Sequence, residues 1–115
     1  MTEHELITAL QQQPEQMEFS EVMAVIDACY DFTPTAFDNG ELHNEAGKNN
    51  GSCKIFAFAQ LHELNQEQAL TCFGQHYQNV LANPTGQDHQ NIRNFIKHGW
   101  AGIHYEQQPL TPKHR

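Results

Sequence analysis

The run Asn44-Glu45-Ala46-Gly47-Lys48-Asn49-Asn50-Gly51-Ser52-Cys53-Lys54-Ile55-Phe56-Ala57-Phe58-Ala59 passes abruptly from a polar loop with two glycines into an apolar segment. That segment stays apolar nearly all round through Leu61 and Leu64. Phe56-Ala57-Phe58 could suit a buried strand, but the length and the alanines favour a buried helix over 53–64. A helix beginning there aims free backbone N–H groups at the loop and sets Ser52, Cys53 and Lys54 at its positive end. Any anion site or reactive thiol in this chain is sought there first.

The flanking segments extend the helical reading. Thr2 and Glu5 have capping-box spacing, and Leu6, Ile7 and Leu10 line a short helix that Pro14 ends. Phe19, Val22, Met23, Ile26 and Tyr30 recur at helical spacing over 18–31, opposite Glu18, Glu21, Asp27 and Asp31. Asp31-Phe32-Thr33-Pro34 breaks that helix. Asn39-Gly40 between Phe37 and Leu42 is a hairpin signal, and a two-residue turn there sets Phe37 near Leu42. Asn65 with Gln68 starts a helix striped by Leu70, Phe73, Tyr77 and Val80 or Leu81, which Asn83-Pro84-Thr85-Gly86 closes. Asp88 can cap a last helix carrying Ile92, Phe95 and Ile96, with Gly99 as its stop. Trp100–Tyr105 can supply a strand that pairs with the hairpin, and Trp100 is read as a core anchor. The expected fold is α+β, mainly α: one compact domain over 1–106 with about five helices and a short antiparallel sheet, followed by a loose tail over 107–115.

At 115 residues the length fits one domain. Cys29, Cys53 and Cys72 are odd in number and widely spaced, which favours buried thiols in a reducing compartment over a disulfide framework. The net charge of -8 is asymmetric: residues 1–47 hold ten acids and no Lys or Arg, whereas 48–115 hold four acids and six bases. An acidic half repels phosphates, so nucleic acid is not expected as a partner. No run reaches the length of a membrane span, and no membrane partner is expected.

Several segments resemble the HopJ type III effector family. They are Phe32–Gly40, Ala46-Gly47, Gly51–Ala59, Cys72-Phe73-Gly74, Asp88–Phe95 and Gly99-Trp100, and the resemblance spans roughly residues 17–110. It implies a bacterial, effector-like protein that binds a macromolecular partner, a protein being the candidate. The chain is expected in the bacterial cytoplasm, in keeping with the reducing compartment that its cysteines favour, and the family name alone implies that it could leave through a type III secretion system. Oligomeric state is not specified by the sequence.

The residues themselves offer an alternative, a small cytosolic enzyme or ligand-binding protein with its pocket between the 44–54 loop and the 88–94 helix start. Its candidate ligand-binding residues are Asn44, Asn50, Ser52, Lys54, Asp88, His89, Asn91, Arg93 and Asn94. Cys53 and His89 are the candidate catalytic pair, since a helix start and Lys54 both favour a thiolate and a nucleophile needs a base. The glycine spacing and the displaced Lys54 fail the phosphate-loop pattern. His62-Glu63 fails the zincin pattern because Gln66 stands where the second ligand belongs. No metal site and no cofactor are therefore expected, the remaining alternative being a metal site assembled from distant residues such as His43, His89 and His104 with Asp88.

Overall fold

The architecture is that of a computed structural model, which describes residues 2–113. Its centre is the helix expected from the apolar run, which covers Asn50–Leu61 and is called α3 once its predecessors are placed. Cys53 and the whole stretch Ile55–Ala59 are buried. A helix that is apolar all round has no face to give to water, so the other elements must surround it. Phe56 does most of this packing: its ring lies 4.7 Å from Phe95, 5.4 Å from Phe73, and 6.3 Å from both Phe37 and Trp100. Trp100 is anchored as expected, its indole N–H donating to the Leu64 carbonyl at 3.1 Å.

In chain order the elements are α1 (Glu3–Gln12), a 3-10 turn (Pro14–Gln16), α2 (Phe19–Cys29), β1 (Tyr30–Phe32), β2 (Phe37–Asn39), β3 (Leu42–Asn44) and then α3. They continue with α4 (Gln66–Thr71), α5 (Gln75–Ala82), α6 (Gln90–His98), a 3-10 turn (Gly99–Gly102), β4 (Ile103–Tyr105) and β5 (Leu110–Pro112). The result is an α+β fold, mainly α. The antiparallel strands form a three-stranded sheet in the order β3-β2-β4 and a separate β1-β5 pair. The strand expected after Trp100 is β4, and it pairs with the hairpin.

Four local readings are corrected. The helix expected from Asn65 to about residue 82 is two helices, because the chain turns at Gly74 with φ +57°. A Cβ there would lie 2.6 Å from the Phe19 backbone nitrogen, so the start of α2 occupies the space a continuous helix would need. The hairpin turn is Gly40-Glu41 and not Asn39-Gly40: Asn39 pairs with Leu42 and Phe37 with Asn44. Asn39 is drawn into the interior, where its amide donates to the Asn91 carbonyl at 2.7 Å, and a tertiary bond outweighs its turn preference. The helix over 18–31 ends at Cys29, and Tyr30–Phe32 extend as β1. Residues 107–113 are not a loose tail: β5 pairs with β1, and Pro109 and Leu110 are buried. Two apolar residues after Glu106-Gln107-Gln108 are too brief a signal to announce an edge strand. Residues 114 and 115 of the expected tail lie outside the described ones.

Leu110 is 1% exposed. Leu110→Ala is therefore expected to destabilise the fold by about 2–5 kcal/mol in urea denaturation. A loss under about 0.5 kcal/mol, the size of a surface substitution, would mean that this segment is not docked in solution.

Candidate functional site

The loop before α3 and the start of α6 meet through a buried knot of amides. Asn39, Asn44 and Asn91 are 0%, 2% and 7% exposed. Asn91 Oδ1 accepts from Asn39 at 3.0 Å and from Asn44 at 3.1 Å, while Asn91 Nδ2 donates to Asn44 Oδ1 at 2.9 Å. Asn49 Nδ2 also donates to Asn44 Oδ1, at 2.7 Å. The knot thus ties β2, β3, the residue preceding α3 and the first turn of α6 into one unit.

Beside the knot lies a half-open cleft of about 510 Å³. Four helices reach it, each through its first turn. Phe19 is the first residue of α2; Gly51 and Ser52 follow Asn49 into α3; His76 is the second residue of α5; Gln90, Asn91 and Ile92 open α6. Leu42, Phe73 and the capping residues Asn49 and His89 complete the wall.

These helix starts share an electrostatic property. Glu18, Asn49, Gly74 and His89 precede the four helices, and none makes a side-chain capping bond. Asn49 (φ +54°) and His89 (φ +51°) adopt left-handed backbone, a strained state for residues with a side chain. Asn49 spends its amide on the knot. By contrast α1 and α4, which do not reach the cleft, each carry a full capping box. Among the described residues, the backbone N–H groups of Gly51, Ser52, Asn91 and Ile92 find no acceptor in the protein. Free N–H groups and positive helix ends favour negative charge at this place.

The two histidines face one another, with ring centroids 5.1 Å apart, and the Phe19 ring meets His76 edge-on at 4.8 Å. Burial, and then the charge of His89, hold His76 below the ordinary imidazole range. Asp88 Oδ2 is 3.8 Å from His89 Nε2, but the Asp88 carboxylate is engaged by Arg93 at 2.7 Å. That bond keeps the Asp88 carboxyl below its usual range.

Of the residues expected at the site, the cleft receives Ser52, His89 and Asn91, with Asn44 bonded behind them. The others serve elsewhere. Asp88 does not cap α6; its place is taken by His89, because Asp88 is held by Arg93. Arg93 also donates to the Asn83 and Pro84 carbonyls, at 3.0 and 3.3 Å, and so pins the loop before α6. Lys54 donates to Asp27 at 2.8 Å and lies over the Phe32 ring. Asn50 is exposed in the first turn of α3, and Asn94 donates to the Gln90 carbonyl at 2.9 Å. Cys53 is a residue too far into α3: its backbone N–H is already bonded to Asn49, and its thiol donates weakly to the Thr35 carbonyl at 3.7 Å. Burial pushes that thiol up to about 11, away from nucleophilic use. Phe19, Phe73 and His76 were missed by sequence reasoning. The available signal was Gly74, which precedes a helix start much as Gly51 lies within one.

His43 and His104 flank Asp38 across β2, β3 and β4, away from His89. Among the described residues, no group of three or more His, Cys, Asp or Glu is placed to hold a metal ion. No described helix is long and apolar enough to cross a membrane.

The fold and cleft define a small, mainly helical α+β protein with a concavity built from helix starts. A family model described as HopJ type III effector protein matches residues 3–110, and the chain belongs to that family. It is also similar to the crystal structure of VPA0580, a protein of unknown function, at 52% identity and a TM-score of 0.96, over 98% of this chain and 95% of that one. Among curated proteins none matches.

Asn91→Ala removes the acceptor shared by two buried amides. Asn39 and Asn44 keep the Asn91 and Phe37 carbonyls as acceptors, so the expected cost is about 1–3 kcal/mol in all, measured by chemical denaturation. A near-neutral result would mean that the knot is open to water. Cys53 is expected to resist a thiol reagent in the native protein at about pH 8 and to react once unfolded. Fast native labelling at Cys53 would contradict its burial.

Proposed function

We propose that this protein binds a small molecule through an anionic head group seated among the starts of α2, α3, α5 and α6. The observation that supports this reading is the meeting of four uncapped helix starts in a cleft whose lining holds no Asp or Glu. In a chain with 14 acids, an acid-free wall beside two imidazoles favours anions there. Phe19, Leu42, Phe73 and Ile92 give the same cleft an apolar side. A ligand with a compact anion and an aromatic or aliphatic body fits this division, the usual one for small-molecule sites.

Membership in a family named for type III effectors supports an effector-like role and secretion, with ligand capture as its molecular activity. Binding of a macromolecule has less support, because the large exposed apolar residues Leu61, Leu81 and Ile96 come singly from α3, α5 and α6. An enzyme using Cys53 has lost its nucleophile to burial.

Benzenesulfonate and its uncharged isostere benzenesulfonamide separate charge from shape. In an amide NMR titration, benzenesulfonate is expected to shift Gly51, Ser52, Asn91 and Ile92 together and saturably. The sulfonamide is expected to bind about tenfold weaker or worse, a difference of about 1.4 kcal/mol. Equal affinities, or no saturable shift with the sulfonate, would overturn the proposal.

A further inference from the structure

We infer, resting on the anion-binding reading, that ligand binding in the cleft is coupled to uptake of a proton by the His76–His89 pair, so that the site holds its ligand more tightly as pH falls. The geometry supplies the coupling. The two rings face each other at 5.1 Å with an interplanar angle of 43°, inside the cleft and at the positive ends of α5 and α6. Like charges at this separation oppose double protonation, and the positive end of α5 adds to the opposition at His76.

The surroundings offer the pair little relief. From α2 it meets the Phe19 ring, and the acids at that helix start, Glu18 and Glu21, stand outside the cleft lining. The α3 start brings Asn49, Gly51 and Ser52 to the same cleft, and β3 brings Leu42, none of them charged. From the lead-in to α6 comes Asp88, whose carboxylate is already bonded to Arg93. Without ligand His76 is accordingly held below its ordinary range, by burial and by the charge of His89.

An anion seated between the rings and the helix starts reverses the balance. It gives an imidazolium an opposite charge at contact distance and raises the proton affinity of the pair. The proton comes from solvent, no covalent bond changes, and the complex gains one positive charge along with the anion. A site that binds more protons with ligand than without must bind ligand more tightly at lower pH, because the two equilibria are reciprocal. The dependence falls in the imidazole range, from the raised bound-state value down to the lowered free-state value. An acidic compartment would then load the protein and a neutral one would release its ligand.

Benzenesulfonate keeps a fixed charge through this range, so any pH dependence of its binding belongs to the protein. Titration calorimetry between about pH 8 and about pH 5.5 is expected to show affinity rising toward about tenfold per pH unit for one proton. Repeating it in buffers of different ionisation enthalpy should count that proton directly. His76→Gln, checked for folding by circular dichroism, is expected to flatten the dependence. Saturable binding with a flat pH profile would overturn the coupling while leaving the anion site standing. A slope that survives in a His76→Gln, His89→Gln double variant would overturn its assignment to this pair. Failure of benzenesulfonate to bind at any pH would overturn the anion reading and the coupling together.

Discussion

The buried amide knot of Asn39, Asn44 and Asn91 is the constraint on which the rest of the arrangement depends. Amides removed from water must find partners, and each one left alone costs about 1–3 kcal/mol. The side-chain bonds from Asn91 to Asn39 and Asn44 run between residues 47 and 52 positions apart in sequence. They close together the hairpin, the loop before α3 and the start of α6. Asn39 Oδ1 has no partner among the described residues, so the knot is not a perfected core device. An apolar trio of similar volume could pack as well, but it would fix register less strictly, because directional bonds accept only one arrangement.

That register determines where the helices begin. With α3 and α6 locked at their first turns, and Gly74 allowing α5 to start against the α2 backbone, four positive helix ends share one space. Such convergence is electrostatically unfavourable; acids stand only at the α2 start (Glu18, Glu21) and before α6 (Asp88), and no side chain caps any of the four helices. The contrast with the boxed starts of α1 and α4 shows that this sequence can cap a helix where a cap is wanted. Strained backbone at Asn49 and His89 falls at the same place. Glu63, which does not line the cleft, is left-handed as well (φ +53°), but only at the cleft does such backbone coincide with uncapped helix starts, the clustering that binding function imposes on a fold.

Much of the fold was legible because the signals were local. Thr2 with Glu5 and Asn65 with Gln68 form the capping boxes their spacing implies, and the apolar run through Phe58 is the buried helix. The misreadings share a long-range cause. Asn39 carries a strong turn preference, and only the distant Asn91 explains why it sits in a strand. Gly74 reads as a tolerable helix glycine until Phe19 is placed against it. Leu110 gains its importance from β1, which lies about 80 positions earlier by the pairing of Phe32 with Leu110. Ser52, His89 and Asn91 were legible as polar residues at expected helix starts. His76 was not, because its helix was hidden inside a longer one. Lys54 and Arg93 looked like ligand cations, yet Asp27 and Asp88 had first claim on them.

The central claim is that the helix starts around His76 and His89 hold an anion. Soaking crystals in tungstate, whose metal scatters anomalously, tests it directly. The account expects an anomalous peak in the cleft, within hydrogen-bonding reach of the Ser52 and Ile92 backbone N–H groups. A cleft free of anomalous signal, in crystals where tungstate occupies other surface positions and no neighbouring molecule blocks access, would contradict it.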